Sequence, residues 1–321
     1  MNAPPVVVFA YNRPDLLART LAAVRSPAIP ILYAFSDAPR IATDAEGVTA
    51  VRRLFAAVDW TEVRLIERAE NMGLGRSILD GVTTVLREYD RAVILEDDIA
   101  LAPGTYEWLA AALAHFEHDR RVMSVSAWTH PRVTPPGLGG EPFFSGRASN
   151  WGWATWARAW DGMLDHTALE MLANAERMGV ARDAYGVDVP AMADVELAKN
   201  IWAVRLIAHH MANRGLALHP GEPYARHIGW DPRATHLTDR DMWDSPLATR
   251  ATIPDVWPLP VEHPGVAGMW RQAAAAEFAA AAAPHRLSAR VARLLRRIAK
   301  RALGPFGASL VVAACGLGYI V

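Results

Sequence analysis

The feature that most constrains the fold is a regular alternation of apolar strands and amphipathic helices in the first hundred residues. Stretches with helical spacing of hydrophobic residues separate four apolar segments: PVVVFA (5–10), AIPILYAFSDAP (28–39), TEVRLIER (61–68) and RAVILEDD (91–98). Strands of this kind are typical of parallel βαβ units with both sheet faces covered. The sequence therefore predicts an α/β fold with a Rossmann-like, mostly parallel sheet and helices on both faces.

Three consecutive carboxylates, Glu96, Asp97 and Asp98, follow the fourth predicted strand directly. Like charges at this spacing repel one another, so either solvent separates them or a cation lies between them. Ligands of parallel sheets bind beyond the carboxyl ends of the strands, and carboxylates there suit Mg²⁺ or Mn²⁺, which keep coordination places for phosphate. The alternative is a solvated loop in which Asp97 or Asp98 caps a helix. We favour the cation site.

Other polar residues are expected at the same edge because they also follow predicted strands. They are Tyr11, Asn12, Arg13, Ser36, Asp37 and Asn71. Gly73 and Gly75 would let the backbone approach a ligand closely. The alternative for these two glycines is an ordinary turn before a helix.

Composition narrows the class of protein. Of the 321 residues, 52% are hydrophobic and 21% charged, which indicates a globular chain. Residues 285–301 hold seven Lys or Arg and no acid, which leaves 26 basic against 34 acidic residues elsewhere. An acidic body argues against nucleic acid as a partner. The single cysteine, Cys315, excludes a disulfide framework within one molecule and suits a reducing cytoplasm.

The C-terminal region has a different character. Residues 273–283 are rich in alanine and predict a surface helix or linker. Residues 285–301 have apolar residues at helical spacing with Lys and Arg on the other face, and residues 302–321 carry no charge. Basic amphipathic helices adsorb to anionic membranes. We therefore expect a cytoplasmic protein with a peripheral contact at the inner face of the plasma membrane; the alternative is a tail folded onto the domain or a partner.

Four segments, in this order, resemble bacterial glycosyltransferases of the GT-A type, family-2-like, with a more distant similarity to the metazoan N-acetylglucosaminyltransferase that uses an EDD motif. They are VVVFAYNRPDLLARTLAAV, ENMGLGRSILDGV, AVILEDDIALAPGTYEWL and GRASNWGWATWARAW. The resemblance covers about residues 5–240. It implies a GT-A catalytic domain at 1–240, with a nucleotide-sugar half at about 1–130 and an acceptor half at about 131–240. A linker and alanine-rich helix (241–284) and a basic amphipathic and apolar tail (285–321) would follow.

The resemblance also implies roles for individual residues. Asp98 would bind the metal, Mn²⁺ or Mg²⁺, that bridges the donor diphosphate, and Asp37 would accept a hydrogen bond from the base. HIGWDPRATH is similar to the family's NIGHDGSGTH, which makes Asp231 and His236 site candidates, with His236 completing the metal shell or touching the diphosphate. The predicted nucleotide-sugar contacts are Tyr11, Asn12, Arg13, Asp37, Asn71, Gly73, Arg76, Glu96, Asp97 and Arg205.

The segment WGWATWARAW is unusually aromatic. Trp faces stack on sugar rings, so Trp151 and Trp153 would border the donor or acceptor pocket. Trp156 and Trp160 are expected to be buried. A structural core cluster is the alternative for the whole segment.

The catalytic base is the point at which the sequence departs from the family. Relatives carry an Asp two residues before the Trp of KNIWAVRL, where this chain has Asn200, and an amide does not accept a proton at neutral pH. Residues 194–215 predict one helix, on which Glu196 lies one turn before Asn200 on the same face. Glu196 and Asp194 are possible replacements for the base. The alternative for Glu196 and Asp194 is an ordinary solvated helix face without a catalytic role. A further alternative is that catalysis is impaired in this protein.

Together these features predict a metal-dependent, inverting glycosyltransferase of cell-envelope polysaccharide biosynthesis. It would move a hexosyl or N-acetylhexosaminyl group from a nucleoside-diphosphate sugar to a surface glycan or lipid-linked acceptor. One alternative is a non-catalytic or weakly active nucleotide-sugar-binding protein of the same fold, which Asn200 favours. The other is a sugar-1-phosphate nucleotidyltransferase, which would need a glycine-rich, basic loop where this chain has AYNRPD.

Overall fold

The structure, a computed structural model, describes residues 3–230 and 243–279. Contacts divide the chain into two compact units, Met1–Ala273 and Ala274–Val321. The first unit extends past residue 240, where we place the end of the catalytic domain, and every described site residue belongs to it. Of the second unit, residues 274–279 are described and are helical. The predicted tail at 285–321 lies outside the described residues.

Strands and helices alternate along the first unit as the sequence predicts. The strands are β1 (Val6–Ala10), β2 (Ile31–Ser36), β3 (Glu62–Glu67), β4 (Arg91–Glu96), β5 (Ile99–Leu101), β6 (Val122–Ser126), β7 (Phe143–Ser145), β8 (Trp153–Trp156), β9 (Leu216–His219) and β10 (Ala225–His227). The helices up to residue 213 are α1 (Pro14–Val24), α2 (Ala45–Ala56), α3 (Leu74–Leu86), α4 (Thr105–His115), α5 (Ala157–Trp160), α6 (Ala168–Arg177), α7 (Asp188–Ala193), α8 (Glu196–Lys199) and α9 (Trp202–Asn213). Residues 266–279 are also helical. None of the helices in the described ranges is long and apolar enough to cross a membrane.

Eight strands form one sheet in the order β3-β2-β1-β4-β8-β6-β9-β7. The first four pair in parallel, as do β6 and β9, whereas β8 and β7 run antiparallel to their neighbours. The predicted α/β fold with a mostly parallel sheet is confirmed. The chain runs outward from β1 to β3 and then returns to β4 on the other side of β1. This change of direction opens a crevice beyond the carboxyl ends of β1 and β4.

Different helices cover the two faces of the sheet. Val6 and Val8 of β1 belong to one core cluster with side chains of α1, α2 and α4. Val7 and Phe9 belong to a second cluster with side chains of α3 and α9. Because successive residues of a strand point to opposite faces, a continuously apolar strand is buried on both sides. The prediction of helices on both faces is confirmed.

The segment 194–215, which we predict as one helix, is broken. Asn200 has φ 55° and ψ 44°, a left-handed conformation that ends α8 before α9 begins at Trp202. Asparagine adopts this conformation more readily than most residues. The prediction of one continuous helix is wrong, and Asn200 lies at a helix end rather than on a helix face.

The chain after residue 243 contributes to the core of the first unit. Trp270 is buried, and its indole N–H donates a hydrogen bond to Ser145 Oγ at 3.1 Å. The Arg147 guanidinium lies 4.4 Å from the centre of the Trp270 ring and forms a bidentate ion pair with Asp188, at 3.0 and 2.6 Å. Residues beyond 240 therefore pack on the same unit as the sheet.

A buried histidine in α9 makes the stability depend on pH. His210 Nδ1 donates to the backbone oxygen of Leu206 at 2.9 Å, so Nε2 is left to accept from Ser124 Oγ at 2.8 Å. Burial, followed by the neighbouring His209, lowers the pKa of His210 to about 3. In the unfolded chain a histidine titrates at about 6.5. Protons therefore favour the unfolded state as the pH falls below about 6.5.

We expect His210→Gln to weaken this pH dependence. Between pH 7 and pH 5 the buried histidine should account for a loss of about 2 kcal/mol in the free energy of unfolding. In His210→Gln, the free energy of unfolding should therefore fall by about 2 kcal/mol less between pH 7 and pH 5 than in wild type. Urea unfolding at both pH values measures this free energy, with His166→Gln at an exposed position as the control. An equal loss in wild type and His210→Gln would contradict the prediction.

Candidate functional site at the end of β4

Two basic side chains hold the carboxylate of Asp98 just beyond β4. Asp98 Oδ2 accepts a hydrogen bond from Arg13 Nη1 at 3.0 Å and lies 3.1 Å from His227 Nε2. Asp98 is 7% exposed, so its charge is largely desolvated and depends on these partners. Arg13 also donates from Nη2 to the backbone oxygen of Gly229 at 2.9 Å. One guanidinium thus joins the loop after β1, the end of β4 and the segment after β10.

His227 reaches Asp98 through a two-stranded sheet of β10 and β5. Next to it, the N–H of Ile228 donates to the backbone oxygen of Asp98 at 2.8 Å. The imidazole stacks on Trp151, with centroids 5.0 Å apart, and meets Trp230 nearly edge-on at 4.5 Å. Our sequence analysis missed His227 because the pairing of two three-residue strands leaves no periodic signal. The available signal was a histidine where the similar family motif has asparagine.

The three consecutive carboxylates avoid mutual repulsion by having different pKa values. Burial, reinforced by the charges of Asp98 and Asp97, raises the pKa of Glu96 well above its usual value. Burial and the charge of Asp98 raise the pKa of Asp97 to about 7. Burial also acts on Asp98, but the hydrogen bond of His227 and the charges of His227 and Arg13 outweigh it and hold its pKa below the usual value. The negative charge is concentrated on Asp98.

Glu96 and Asp97 are tied to neighbouring segments. Asp97 Oδ2 accepts from the backbone N–H of Tyr11 at 3.2 Å, and its backbone oxygen accepts from Thr20 Oγ at 2.8 Å. Glu96 accepts a hydrogen bond from Asn150, a residue that our sequence analysis did not single out. The structure therefore brings the loops after β1 and β4 together, as predicted.

Buried polar atoms without a partner surround Asp98. They have no hydrogen bond to any residue in the described ranges: Glu96 Oε1, Asp98 Oδ1, His227 Nδ1 and Trp230 Nε1. Buried polar atoms are rarely left unpaired, and a bound ion, ligand or water is the usual explanation. Their concentration at one place marks it as a binding site for a polar group.

The residues at this place fit a divalent cation whose shell is completed by its ligand. Asp98 Oδ1 is a buried acceptor without a described partner. A Cβ on Gly229 would lie 2.2 Å from Asp98 Oδ2 and 2.7 Å from Arg13 Nη2, so a glycine lets the backbone approach the Asp98 and Arg13 pair this closely. Within residues 3–230 and 243–279, no three His, Cys, Asp or Glu side chains form a metal group by themselves. Mg²⁺ and Mn²⁺ take the remaining ligands from phosphate and water. Asp231 and His236 lie outside the described residues.

Asp37 holds the glycine-containing loop before α3. Its Oδ1 accepts from the backbone N–H of Met72 and its Oδ2 from that of Gly73, both at 2.9 Å. Gly73 has φ 69°, in the region that favours glycine. Asn71 Nδ2 donates to the backbone oxygen of Ala38 at 2.7 Å, and Arg76 is exposed, with Nε donating to Met72. Asp37 Oδ1 also accepts from the backbone N–H of Ala38 at 3.0 Å, so the lone pair left to accept from a ligand at this sheet edge is on Oδ2.

Asn200 packs on the same loop. A Cβ on Gly75 would lie 2.3 Å from the backbone oxygen of Asn200 and 2.5 Å from its Oδ1. Asn200 Nδ2 also approaches the backbone oxygen of Met72 at 3.5 Å. The close approach that Gly73 and Gly75 permit is thus to Asn200. Its contacts in the structure position the loop.

Tyr11 and Asn12 form a small cluster with Asp44, which our sequence analysis did not single out. Tyr11 Oη donates to Asp44 Oδ2 at 2.5 Å, and Asn12 Nδ2 donates to Oδ1 at 2.9 Å. Asp44 lies directly before α2. An aspartate at that position is common as a helix cap, so the sequence gives no sign of a further role. Its contacts fix the loop after β1 next to the Arg13 and Asp98 pair.

The predicted base candidates have different surroundings. Glu196 is 4% exposed, forms an ion pair with Arg205 and accepts from the backbone N–H of Ala168 at 2.7 Å. Glu196 and Arg205 therefore join α6, α8 and α9. Asp194 is exposed. We call Asp98 with its partners Arg13 and His227 the Asp98 cluster. The structure does not bring Glu196 or Arg205 into contact with it.

The tryptophans of WGWATWARAW separate into two groups. Trp153 is 1% exposed and stacks on Trp160 and Trp202, at 5.9 and 5.5 Å between centroids. It has no free face for a sugar, so its predicted stacking role does not fit the structure. Trp156 and Trp160 are buried as predicted. Trp151 is half-buried beside His227.

Comparison with known proteins gives no family assignment. No family model matches the chain, and no curated protein matches it. Among solved structures, a mannosyltransferase from Pyrobaculum calidifontis in complex with GDP-Man and Mn²⁺ is 19% identical, covering 97% of this chain and 86% of that one, with a TM-score of 0.43. Mouse xyloside xylosyltransferase 1 is 11% identical, covering 66% and 82%, with a TM-score of 0.33. A mannose-1-phosphate geranyltransferase from Thermus thermophilus is 17% identical, covering 55% and 64%, with a TM-score of 0.31. TM-scores below 0.5 are too low to carry a conclusion about this chain.

We expect Gly229→Ala to disrupt the Asp98 cluster. The new methyl group would lie 2.2 Å from Asp98 Oδ2 and 2.7 Å from Arg13 Nη2, so the ion pair must shift. Overpacking of this kind costs about 1–3 kcal/mol, measured as the free energy of urea unfolding. Gly268→Ala is the matched control, because its Cβ would meet only Arg271 Nη2 at 3.9 Å and it lies in a helix. Equal stability of both variants and wild type would contradict the prediction.

Proposed function

We propose that this protein is a metal-dependent glycosyltransferase of the GT-A type that uses a nucleoside-diphosphate sugar. The observation that carries the proposal is the buried Asp98, whose pKa is lowered and whose Oδ1 has no partner among the described residues. A divalent cation at Asp98 would neutralise the charge that develops on the leaving diphosphate, without proton transfer. The position at the crevice between β1 and β4, where α/β sheets bind ligands, supports the proposal.

With the cation at Asp98, the other residues predicted to contact the nucleotide sugar take the following roles. Arg13 carries a fixed positive charge beside Asp98, suited to holding a phosphate oxygen. Asp37 would accept a hydrogen bond from the base. Glu96 and Asp97 would reach the ribose. Tyr11, Asn12, Asn71, Gly73 and Arg76 would line the same edge, and Arg205 would act indirectly through its ion pair with Glu196.

Transfer with inversion to a surface glycan or lipid-linked acceptor completes the proposal. Of the candidate bases, Asp194 has an exposed carboxylate, whereas Glu196 is ion-paired. Trp151 is the remaining candidate for stacking on a sugar. A peripheral membrane contact through residues 285–321 would bring the enzyme to a lipid-linked acceptor. The anomeric configuration of the product, read by NMR, checks the stereochemistry.

The decisive experiment is a panel of UDP-, GDP- and dTDP-sugars, with and without Mn²⁺, and with a cell-envelope extract as the acceptor. We expect one class of donor to be hydrolysed or transferred with release of nucleoside diphosphate, only when a divalent cation is present. Asp98→Asn should reduce turnover by at least about a hundredfold, because the transition-state charge loses its cation. The exposed Asp59→Asn should leave turnover unchanged.

Three other outcomes of these assays would contradict the proposed glycosyltransferase activity. Release of pyrophosphate from a sugar 1-phosphate and a nucleoside triphosphate would replace the proposal with a nucleotidyltransferase. Tight donor binding without turnover, measured by calorimetry, would replace it with a binding protein. No turnover and no donor binding, in wild type and Asp98→Asn alike, would overturn the proposal of a nucleotide-sugar-dependent protein altogether.

A further inference from the structure

The side-chain amide of Asn200 lies along the loop before α3. A Cβ on Gly73 would lie 2.8 Å from Asn200 Nδ2, and a Cβ on Gly75 would lie 2.5 Å from Oδ1. Both distances are shorter than a Cβ atom tolerates, so glycine at these two positions leaves room for the amide. The two ends of the amide therefore face two different glycines of one loop.

The peptide group between Met72 and Gly73 has hydrogen-bond partners at both of its ends. Its N–H, on Gly73, donates to Asp37 Oδ2 at 2.9 Å. Its oxygen, on Met72, accepts from Arg76 Nε at 2.9 Å and from Asn200 Nδ2 at 3.5 Å. Hydrogen bonds in series polarise and strengthen one another. Asn200 is thus linked to Asp37 through a single peptide group.

The orientation of the Asp37 carboxylate depends on this peptide group. Asp37 is 6% exposed, and its Oδ1 already accepts from the N–H groups of Ala38 and Met72. The lone pair left for a ligand is on Oδ2, the oxygen that also accepts from Gly73. A rotation of the Met72–Gly73 peptide group would therefore change the direction in which that lone pair points.

Asn200 is itself fixed at the break between α8 and α9. Its left-handed backbone ends α8, and its N–H donates to the backbone oxygen of Glu196. The N–H of Ile201 donates to the same oxygen at 3.0 Å. Glu196 is buried and ion-paired with Arg205. The amide therefore extends to the loop from a segment that a buried ion pair holds in place.

We propose that Asn200 is a positioning residue of the donor site, which sets the affinity for the nucleotide by holding the Met72–Gly73 peptide group and, through it, Asp37. This inference rests on the proposed function, in which Asp37 accepts a hydrogen bond from the base. Asparagine suits the position because it adopts the left-handed conformation and its amide donates. An aspartate would adopt the same conformation but has no N–H for the Met72 oxygen.

Two competing explanations give the amide no part in nucleotide binding. In one, position 200 is the place of the catalytic base, and the base has been lost. In the other, only the left-handed turn matters. Asn200→Asp introduces the acidic residue that the similar family carries there, whereas Asn200→Gly keeps the turn and removes the amide. Arg214→Gly is the matched control, because Arg214 is exposed and has φ 49° at the end of α9.

The experiment measures binding of UDP, GDP and dTDP to the full chain by calorimetry with Mn²⁺, together with kcat and KM for the donor. We expect Asn200→Gly and Asn200→Asp to bind the nucleotide about three- to tenfold more weakly, the effect of losing one hydrogen bond. KM should rise by the same factor, with kcat at saturating donor within about twofold of wild type. Unfolded protein would instead lower the binding stoichiometry. Arg214→Gly should match wild type in affinity, KM and kcat.

The outcomes separate this inference from the proposed function. A higher kcat in Asn200→Asp, with unchanged nucleotide affinity, would assign position 200 to the base and overturn the inference alone. Unchanged affinity in both Asn200 variants, or an equal loss of affinity in Arg214→Gly, would overturn it as well. Absence of binding of all three nucleotides to wild type would overturn both the inference and the proposed function.

Discussion

The ion pairing of Asp98 is the interaction on which the site depends. A carboxylate that is 7% exposed loses most of its hydration, and the loss amounts to several kcal/mol unless cationic groups replace it. Arg13 and His227 supply that replacement on a single oxygen, Oδ2. Because Arg13 also binds the Gly229 backbone, the charge of one aspartate brings together the first loop of the chain, the central strand and the segment after β10. The crevice is therefore assembled around a charge.

Much of the fold could be predicted because its causes are local in the sequence. β1 is apolar at every position and buried throughout, and β4 is apolar between its terminal residues Arg91 and Glu96. Strands of that kind must be covered on both faces, which requires helices between parallel strands. The meeting of Tyr11, Arg13 and Asp97 followed from this, since carboxyl ends of parallel strands share one edge. His227 and Asp44 could not be found in this way, because three-residue strands and a helix-cap aspartate have no pattern that distinguishes them from ordinary loops.

Two residues that we chose from the sequence for their chemistry also hold the backbone in place. A sequence motif does not reveal this second role. Asp37 was selected as an acceptor for a base, and its carboxylate holds the N–H groups of Met72 and Gly73. Asn200 was selected for its place in a motif, and its left-handed conformation presses its backbone oxygen against Gly75. The two residues therefore hold the same loop, at Met72 to Gly75. The prediction of a continuous helix was wrong at Asn200 because the conformation depends on a partner from a distant part of the chain.

The aromatic segment shows why the type of residue alone did not settle its role. Trp153 and Trp156 begin and end β8, three positions apart, and so point to opposite faces of the sheet, where each enters a different core cluster. Trp151 precedes the strand, is not bound by its alternation, and turns towards His227 instead. The burial of one tryptophan and the partial exposure of another thus follow from where the strand begins. An indole face that stacks on an imidazole fixes the ring next to Asp98, and this gives the segment a role at the site that needs no contact with a sugar.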